Sequence, residues 1–297
     1  MTATAASRPA SGRRPRLRLG GAIPYLLLAP GILWLFIFFV VPAFQMFLTS
    51  VSTGSLSDGF HLTFTTKAYE TAFTRFPKQF TNSLLFAGIA TVLTFLIGFP
   101  VAYTIAFRGG RYKNILLFMV IAPFFTSFLI RTISWKILLG DEGPLLGTLK
   151  SIHLVPPDLS VLQTAFAVVA GITYNFLPFM VLPLYVALEK IDPRLIEAAN
   201  DLYASRWEAF RRVTFPLALP GVFAGSILVF IPAIGDFVNA QLLGNPQSQM
   251  IGNVIQSRFI GQNDYPTAAA LSFILMAGIL VAVTVYARFL GTEQLTG

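Results

Sequence analysis

The chain has 297 residues, of which 55% are hydrophobic and only 11% charged, with a mean hydropathy of +0.70 and a formal net charge of +8. Soluble globular domains carry about 25% charged residues, so this composition lies outside that class. Cysteine is absent and the only histidines are His61 and His153, which excludes a disulfide framework and leaves no basis for a Cys- or His-based metal site.

The first twenty-one residues, MTATAASRPASGRRPRLRLGG, hold five arginines and no acid. They look like the charged start of a secretory signal, and Arg13–Arg14 superficially suggests a twin-arginine signal. A signal's apolar region runs about 7–15 residues to a small-residue cleavage site. Here the apolar run continues beyond twenty residues with bulky Phe, Leu and Trp. Residues 1–20 are therefore predicted as a disordered basic cytosolic tail, either simply solvated or touching anionic lipid.

Six runs are long enough to cross a hydrocarbon core of about 30 Å, which takes about 20 apolar residues as helix. They are 22–47, 83–107, 115–139, 161–188, 217–234 and 266–287, inside a membrane domain of 21–290 that leaves a short tail, 291–297. The third holds Arg131 and Lys136 toward one end, where long side chains are expected to snorkel to the headgroups. Pro216, Pro220, Gly221, Pro232 and Gly235 punctuate the fifth. Inside a bilayer such breaks are tolerated only where protein or a watery cavity satisfies the freed backbone groups. Three loops join the spans on one side. The 50–82 loop is aromatic, with Phe60, Phe64, Tyr69 and Phe73; the others are 141–160 and 236–265. Val254, Ile255, Phe259 and Ile260 recur at helical spacing and predict a short helix lying at or dipping into the outer membrane face.

Charge orients the bundle. Placing both termini, the 108–114 turn and the 189–215 loop on one side puts fourteen of the 21 Lys and Arg there, together with six of the thirteen acids. That side carries the whole formal +8 and is expected to be cytoplasmic.

The loop between the fourth and fifth runs is patterned. Pro193 suits a first helical position behind Asp192 as N-cap. Leu195, Ile196, Ala199, Leu202 and Tyr203 fall near one stripe, flanked by Glu197, Asn200 and Asp201. A second short helix is predicted from Ser205, with Glu208 closing a capping box, and Pro216, Pro220 and Gly221 are expected to stop it. Periodicity alone gives a helix–turn–helix elbow, which could equally be an interfacial pair that caps the bundle.

The string EAANDLYASRWEAFRRVTFPLALPG at 197–221 resembles the EAA loop of binding-protein-dependent ABC importer permeases. Glu197, Ala198, Ala199, Asp201, Leu202, Ala204, Phe210, Val213, Pro216 and Gly221 stand where that pattern has them. The family's turn glycine is replaced by Tyr203. Within the superfamily, 82–103, 122–145, 250–259 and 264–272 are similar to the first transmembrane subunit of spermidine/putrescine importers. The resemblance implies an all-α type I permease with six transmembrane helices in a bacterial inner membrane. It implies a second permease subunit, two copies of a cytosolic ATPase docked on the elbow, and an extracytoplasmic solute-binding protein as partners. The solute would be a polyamine or another small molecule of the same importer class.

No G-x-x-x-x-G-K-[ST] phosphate loop and no nucleophile–base pair occur, so the chain is expected to be non-catalytic and without a cofactor of its own. ATP and Mg would bind the partner ATPase, and no nucleic acid is expected. A secondary carrier that works without ATP is the other class, but internal repeats are not evident. Trp135, Tyr174, Asn175 and Asp236 are polar or aromatic residues stranded in or beside apolar runs, hence candidates for the solute path. Each has a plainer role open to it: interfacial belt for Trp135, interhelical hydrogen bonding for Tyr174 and Asn175, and a position just outside the membrane for Asp236.

Overall fold

The structure, a computed structural model, describes residues 23–55 and 59–290, with side chains placed for 27–55 and 59–288. The expected tails 1–20 and 291–297 lie outside the described residues. The chain divides into two compact units, Met1–Met46 and Phe47–Gly297. Helix α1, Leu27–Ser50, runs through Pro30 and a π-turn at Phe36–Val40, and Trp34 packs on Phe38 one turn on.

The aromatic 50–82 segment is more than a loop. Strand β1, Ser52–Ser55, pairs antiparallel with β2, Gly59–Leu62, and helix α2, Lys67–Arg75, follows. Gly54 sits at φ +135°, where a Cβ would strike the Gly59 carbonyl, so the hairpin requires glycine there. Pro77 occupies the first turn of α3, Pro77–Arg108, where its missing N–H would be unpaired anyway.

The single helix expected over 115–139 is two. Helix α4, Lys113–Ile121, tightens into a 3₁₀ turn at Ala122–Phe125, and α5, Phe128–Leu138, leaves at 94°. The cause is local: Thr126 and Ser127 are extended, and the Thr126 hydroxyl donates to the Pro123 carbonyl at 2.7 Å. Length and apolarity, the basis of the expectation, do not register such a turn.

After α6, Leu146–Ser151, helix α7, Ala165–Glu189, starts on a Thr164 cap whose hydroxyl accepts from the Ala167 amide. It is the hub of the bundle: Ile172, Met180, Leu184 and Leu188 are fully buried. Between helices in lipid the hydrophobic effect offers little, so close approach of backbones has to carry the packing. A Cβ on Gly221 would stand 2.6 Å from that of Ala187, and one on Gly225 would stand 2.7 Å from the Met180 sulfur. Two glycines four residues apart thus let the fifth span lie flush on α7.

Helix α8, Pro193–Asp201, and α9, Arg206–Ala209, form the elbow. Prolines were expected to stop the second limb. Instead a π-turn at Phe210–Thr214 carries α9 into α10, Phe215–Ile234, as one helical path from Arg206 to Ile234. Pro216 falls in the first turn of α10, next to that π-turn, where the ordinary hydrogen-bond ladder is already shifted. Then come α11, Val238–Leu243, α12, Ile251–Gln256, and α13, Tyr265–Leu290. The short helix expected on the membrane face is α12, but Ile251, Gly252, Asn253 and Val254 are buried. The Asn82 amide donates to the Gln247 and Gln249 carbonyls, and the Ile251 amide donates to Ser83 Oγ, so the segment is clamped to α3. Only the last part of the stripe, Phe259 and Ile260, stays exposed. Among the described residues, five unbroken helices and the bent pair make six candidate spans.

Candidate functional site: an exposed elbow and a buried polar seam

The elbow is built by three caps. The Asp192 carboxylate accepts from the Arg194 amide at 3.0 Å and starts α8 behind Pro193. Ser205 Oγ accepts from the Glu208 amide, and Glu208 Oε2 accepts from the Ser205 amide at 2.9 Å, a complete capping box. Between them the chain turns at Tyr203, which takes φ +64°. The Tyr203 amide donates to the Asn200 carbonyl at 3.0 Å and the Ala204 amide to the Ala199 carbonyl at 3.1 Å. These two bonds define a Schellman motif, whose left-handed position glycine ordinarily fills. The turn geometry survives replacement of glycine by tyrosine, at a strain cost of about 1–2 kcal/mol.

One side of the elbow is anchored. Ala209 is buried, Phe210 meets Phe99 edge-on at 5.7 Å, and Trp207 stacks on Phe210 at 5.4 Å. The other side is bare: Leu202 is 82% exposed, Tyr203 99% and Trp207 67%. Glu197, Ala198 and Asp201 are exposed, and Ala199 and Ala204 half-buried. Glu197 is in none of the three ion pairs found among the described residues. Pro216 and Gly221, matched to the same loop pattern, lie on α10 and serve its start and its contact with α7.

The four residues singled out for the solute path converge on the contact between α5, α7 and the entry to α11. Trp135 and Tyr174 face each other with ring centroids 5.3 Å apart, and Tyr174 lines a cavity of about 560 Å³ between α3, α4 and α7. Asn175, 1% exposed, donates from Nδ2 to Thr132 Oγ1 (3.2 Å) and to Asn239 Oδ1 (3.1 Å). Asn239 Nδ2 in turn donates to Asp236 Oδ2. Asp236 Oδ1 accepts the Val238 and Asn239 amides at 2.9 and 3.1 Å. The acid therefore caps α11 from within the protein, buried, with three donors already on it. The Asp236 oxygens accept from every neighbour that reaches them, which orients both amides and leaves Asn175 Oδ1 as a buried acceptor without a partner.

Thr132 and Asn239 complete this seam and were not anticipated. Asn239 had a signal, since Asp236-x-x-Asn239 repeats the spacing of a capping box. Arg131 is the larger correction. It was expected to snorkel, yet it is only 9% exposed, with its guanidinium centre 5.2 Å from the Phe124 ring and 5.8 Å from that of Phe128. After the 94° turn, Arg131 and Thr132 lie on the buried face of α5 instead of at its end.

Comparison with known proteins agrees with this geometry. The spermidine/putrescine transport system permease protein PotB of Haemophilus influenzae is 38% identical over 256 residues, covering 86% of this chain and 90% of its own length. PotB of Escherichia coli K12 is 36% identical over 258 residues, covering 86% of this chain and 93% of its own. A crystal structure of a bacterial ABC transporter involved in the import of the acidic polysaccharide alginate superimposes with a TM-score of 0.75 over 94% of this chain and 98% of that one, at 19% identity, and so speaks for the fold. Residues 95–290, which hold the bent span, the elbow and the polar seam, match the family of binding-protein-dependent transport system inner membrane components, and the chain belongs to that family.

Proposed function

We propose that this chain is the membrane-spanning permease of an ATP-driven importer for a polyamine of the spermidine or putrescine kind. The observation that carries the coupling half of this reading is the bare aromatic tip at Leu202, Tyr203 and Trp207, held rigid by caps on both limbs. An apolar patch on a charged loop is costly to leave in water and fits a cleft on a partner. The partner is a cytosolic ATPase that binds ATP and Mg, two copies per complex. A second permease subunit and an extracytoplasmic solute-binding protein complete the machine. The elbow and both termini face the cytoplasm, in keeping with the charge distribution.

The solute reading draws on the extent of likeness to the spermidine/putrescine permeases, which runs over most of both chains. The chain itself performs no catalysis; ATP closes the ATPase pair, and the elbows pass that motion to the spans through contacts that differ between the two states. Reconstitution with the partner subunits tests the reading. Glu197→Lys, or Ala199→Pro with its interior-proline cost of about 3 kcal/mol, is expected to leave the chain in the membrane while solute-stimulated ATP hydrolysis and uptake come apart. Normal coupling in both variants overturns the docking assignment. Uptake of an anion or a neutral sugar instead of spermidine overturns the polyamine assignment and leaves the importer.

A further inference from the structure

Arg131 lies in a setting that does not account for it. Its Nε and Nη1 are buried with no acceptor, and it belongs to none of the ion pairs found among the described residues. A structural arginine at nine-tenths burial ordinarily has carboxylate or carbonyl partners, because an unpaired buried charge is strongly destabilising. What it has is aromatic faces. Phe124 and Phe128 lie within cation–π reach of the guanidinium. Phe179 meets Phe124 at 4.9 Å, Phe176 meets Phe128 at 6.2 Å, and Phe176 and Phe179 are 6.0 Å apart. The four rings make a continuous cluster at the turn of the bent span. Phe179 also lines a groove of about 780 Å³ between α7 and α10, so the cluster borders open space.

We propose that this ring cluster is a site for an alkylammonium group of the solute, and that Arg131 fills it here as a tethered competitor. The inference rests on the polyamine reading and names a subsite for it. An ammonium flanked by methylenes matches both properties of the rings, the negative face for the charge and the hydrocarbon surface for the chain. Asp236, already holding three donors, is poorly placed to offer that charge a free carboxylate. Arg131, held by no hydrogen bond of its guanidinium, leaves by a change of rotamer when the solute arrives. It returns when the solute departs, so the site favours passage over retention.

The test uses the assembled importer in an uncharged detergent, without its soluble binding protein, and radiolabelled spermidine as the probe. Arg131→Gln removes the competitor and is expected to tighten spermidine binding about threefold or more, whereas Arg131→Lys retains it and leaves the affinity near that of the unaltered complex. In the Arg131→Gln background, trifluorophenylalanine at 124 or 128 is expected to reverse the gain, because fluorine drains the ring face without changing its shape. Binding indifferent to fluorination, or an Arg131→Gln complex that fails to assemble or loses affinity, overturns the site. Spermidine uptake by the unaltered complex is measured alongside. Uptake with no ring effect sinks the subsite alone, and no uptake sinks the subsite together with the polyamine reading.

Discussion

Gly171 lies flush against Asn239: a Cβ on the glycine would stand 2.7 Å from the Asn239 amide oxygen and 2.5 Å from a methyl of Leu243. The bare α-carbon is what allows α11 to sit on α7 closely enough for Asn239 to bridge Asn175 and Asp236. Gly171→Ala is therefore expected to destabilise the folded protein by about 1–3 kcal/mol, the usual cost of overpacking. Thermal unfolding in detergent reads this, and an unchanged midpoint would show that α11 can shift without loss.

Asp236→Asn tests whether the acid acts through its charge or its position. The replacement keeps the shape and one oxygen to accept the Val238 and Asn239 amides, but it sets an amide nitrogen against Asn239 Nδ2, so that buried hydrogen bond is lost at a cost of about 1–3 kcal/mol. Uptake is expected to slow while assembly with the partner subunits is retained. If the residual uptake tracks the fraction of protein that stays folded, Asp236 is a positioning residue. Uptake at the unaltered rate with unaltered stability removes it from both roles.

Tyr203→Gly is expected to relax the left-handed strain and stabilise the elbow turn by about 1 kcal/mol. The same change removes the most exposed aromatic side chain of the tip. Affinity for the ATPase should fall even as the turn becomes easier to form, a divergence that a pull-down with purified ATPase, set beside a melting curve, would expose. Parallel gains in both would mean that the phenol contributes nothing to docking.

Ser205→Ala removes the hydroxyl that accepts the Glu208 amide and is expected to cost about 1 kcal/mol of local helix stability. Hydrogen exchange at the Glu208 amide should rise while exchange in α8 stays put, because α8 has its own cap on Asp192. A spread of faster exchange through both limbs would show that the elbow folds as one unit.

Much of this architecture is legible in the sequence because membrane spans and helix caps are local signals. Asp192-Pro193 and Ser205-x-x-Glu208 name their own helices, and both begin where those residues place them. Apolar length found six spans for the same reason. The third run was expected as one helix, because the turn at Thr126–Ser127 is made by backbone angles and one hydroxyl bond, which hydropathy does not register. The short helix expected near the outer face is present, but its burial was not legible. Val254 and Ile255 carry the right spacing, but the partners that bury the segment, Asn82 and Ser83, stand over 160 residues away in sequence. The seam was half legible: Asn175 and Asp236 stand out as polar groups among apolar neighbours, while Thr132 and Asn239 acquire meaning only once three helices meet.

The π-turn at Phe210–Thr214 has a mechanical consequence. By joining the second limb of the elbow to the fifth span, it makes Arg206–Ile234 one continuous helical path of 29 residues, about 40 Å long at the helical rise. A rod pivoting near one end magnifies angle into distance: a tilt of about 10° at Trp207 would swing the far end by about 7 Å. That far end is Ile234, two residues before the acid that caps α11. Leverage of this size would let a small rotation at the elbow displace the polar seam by more than a helix radius.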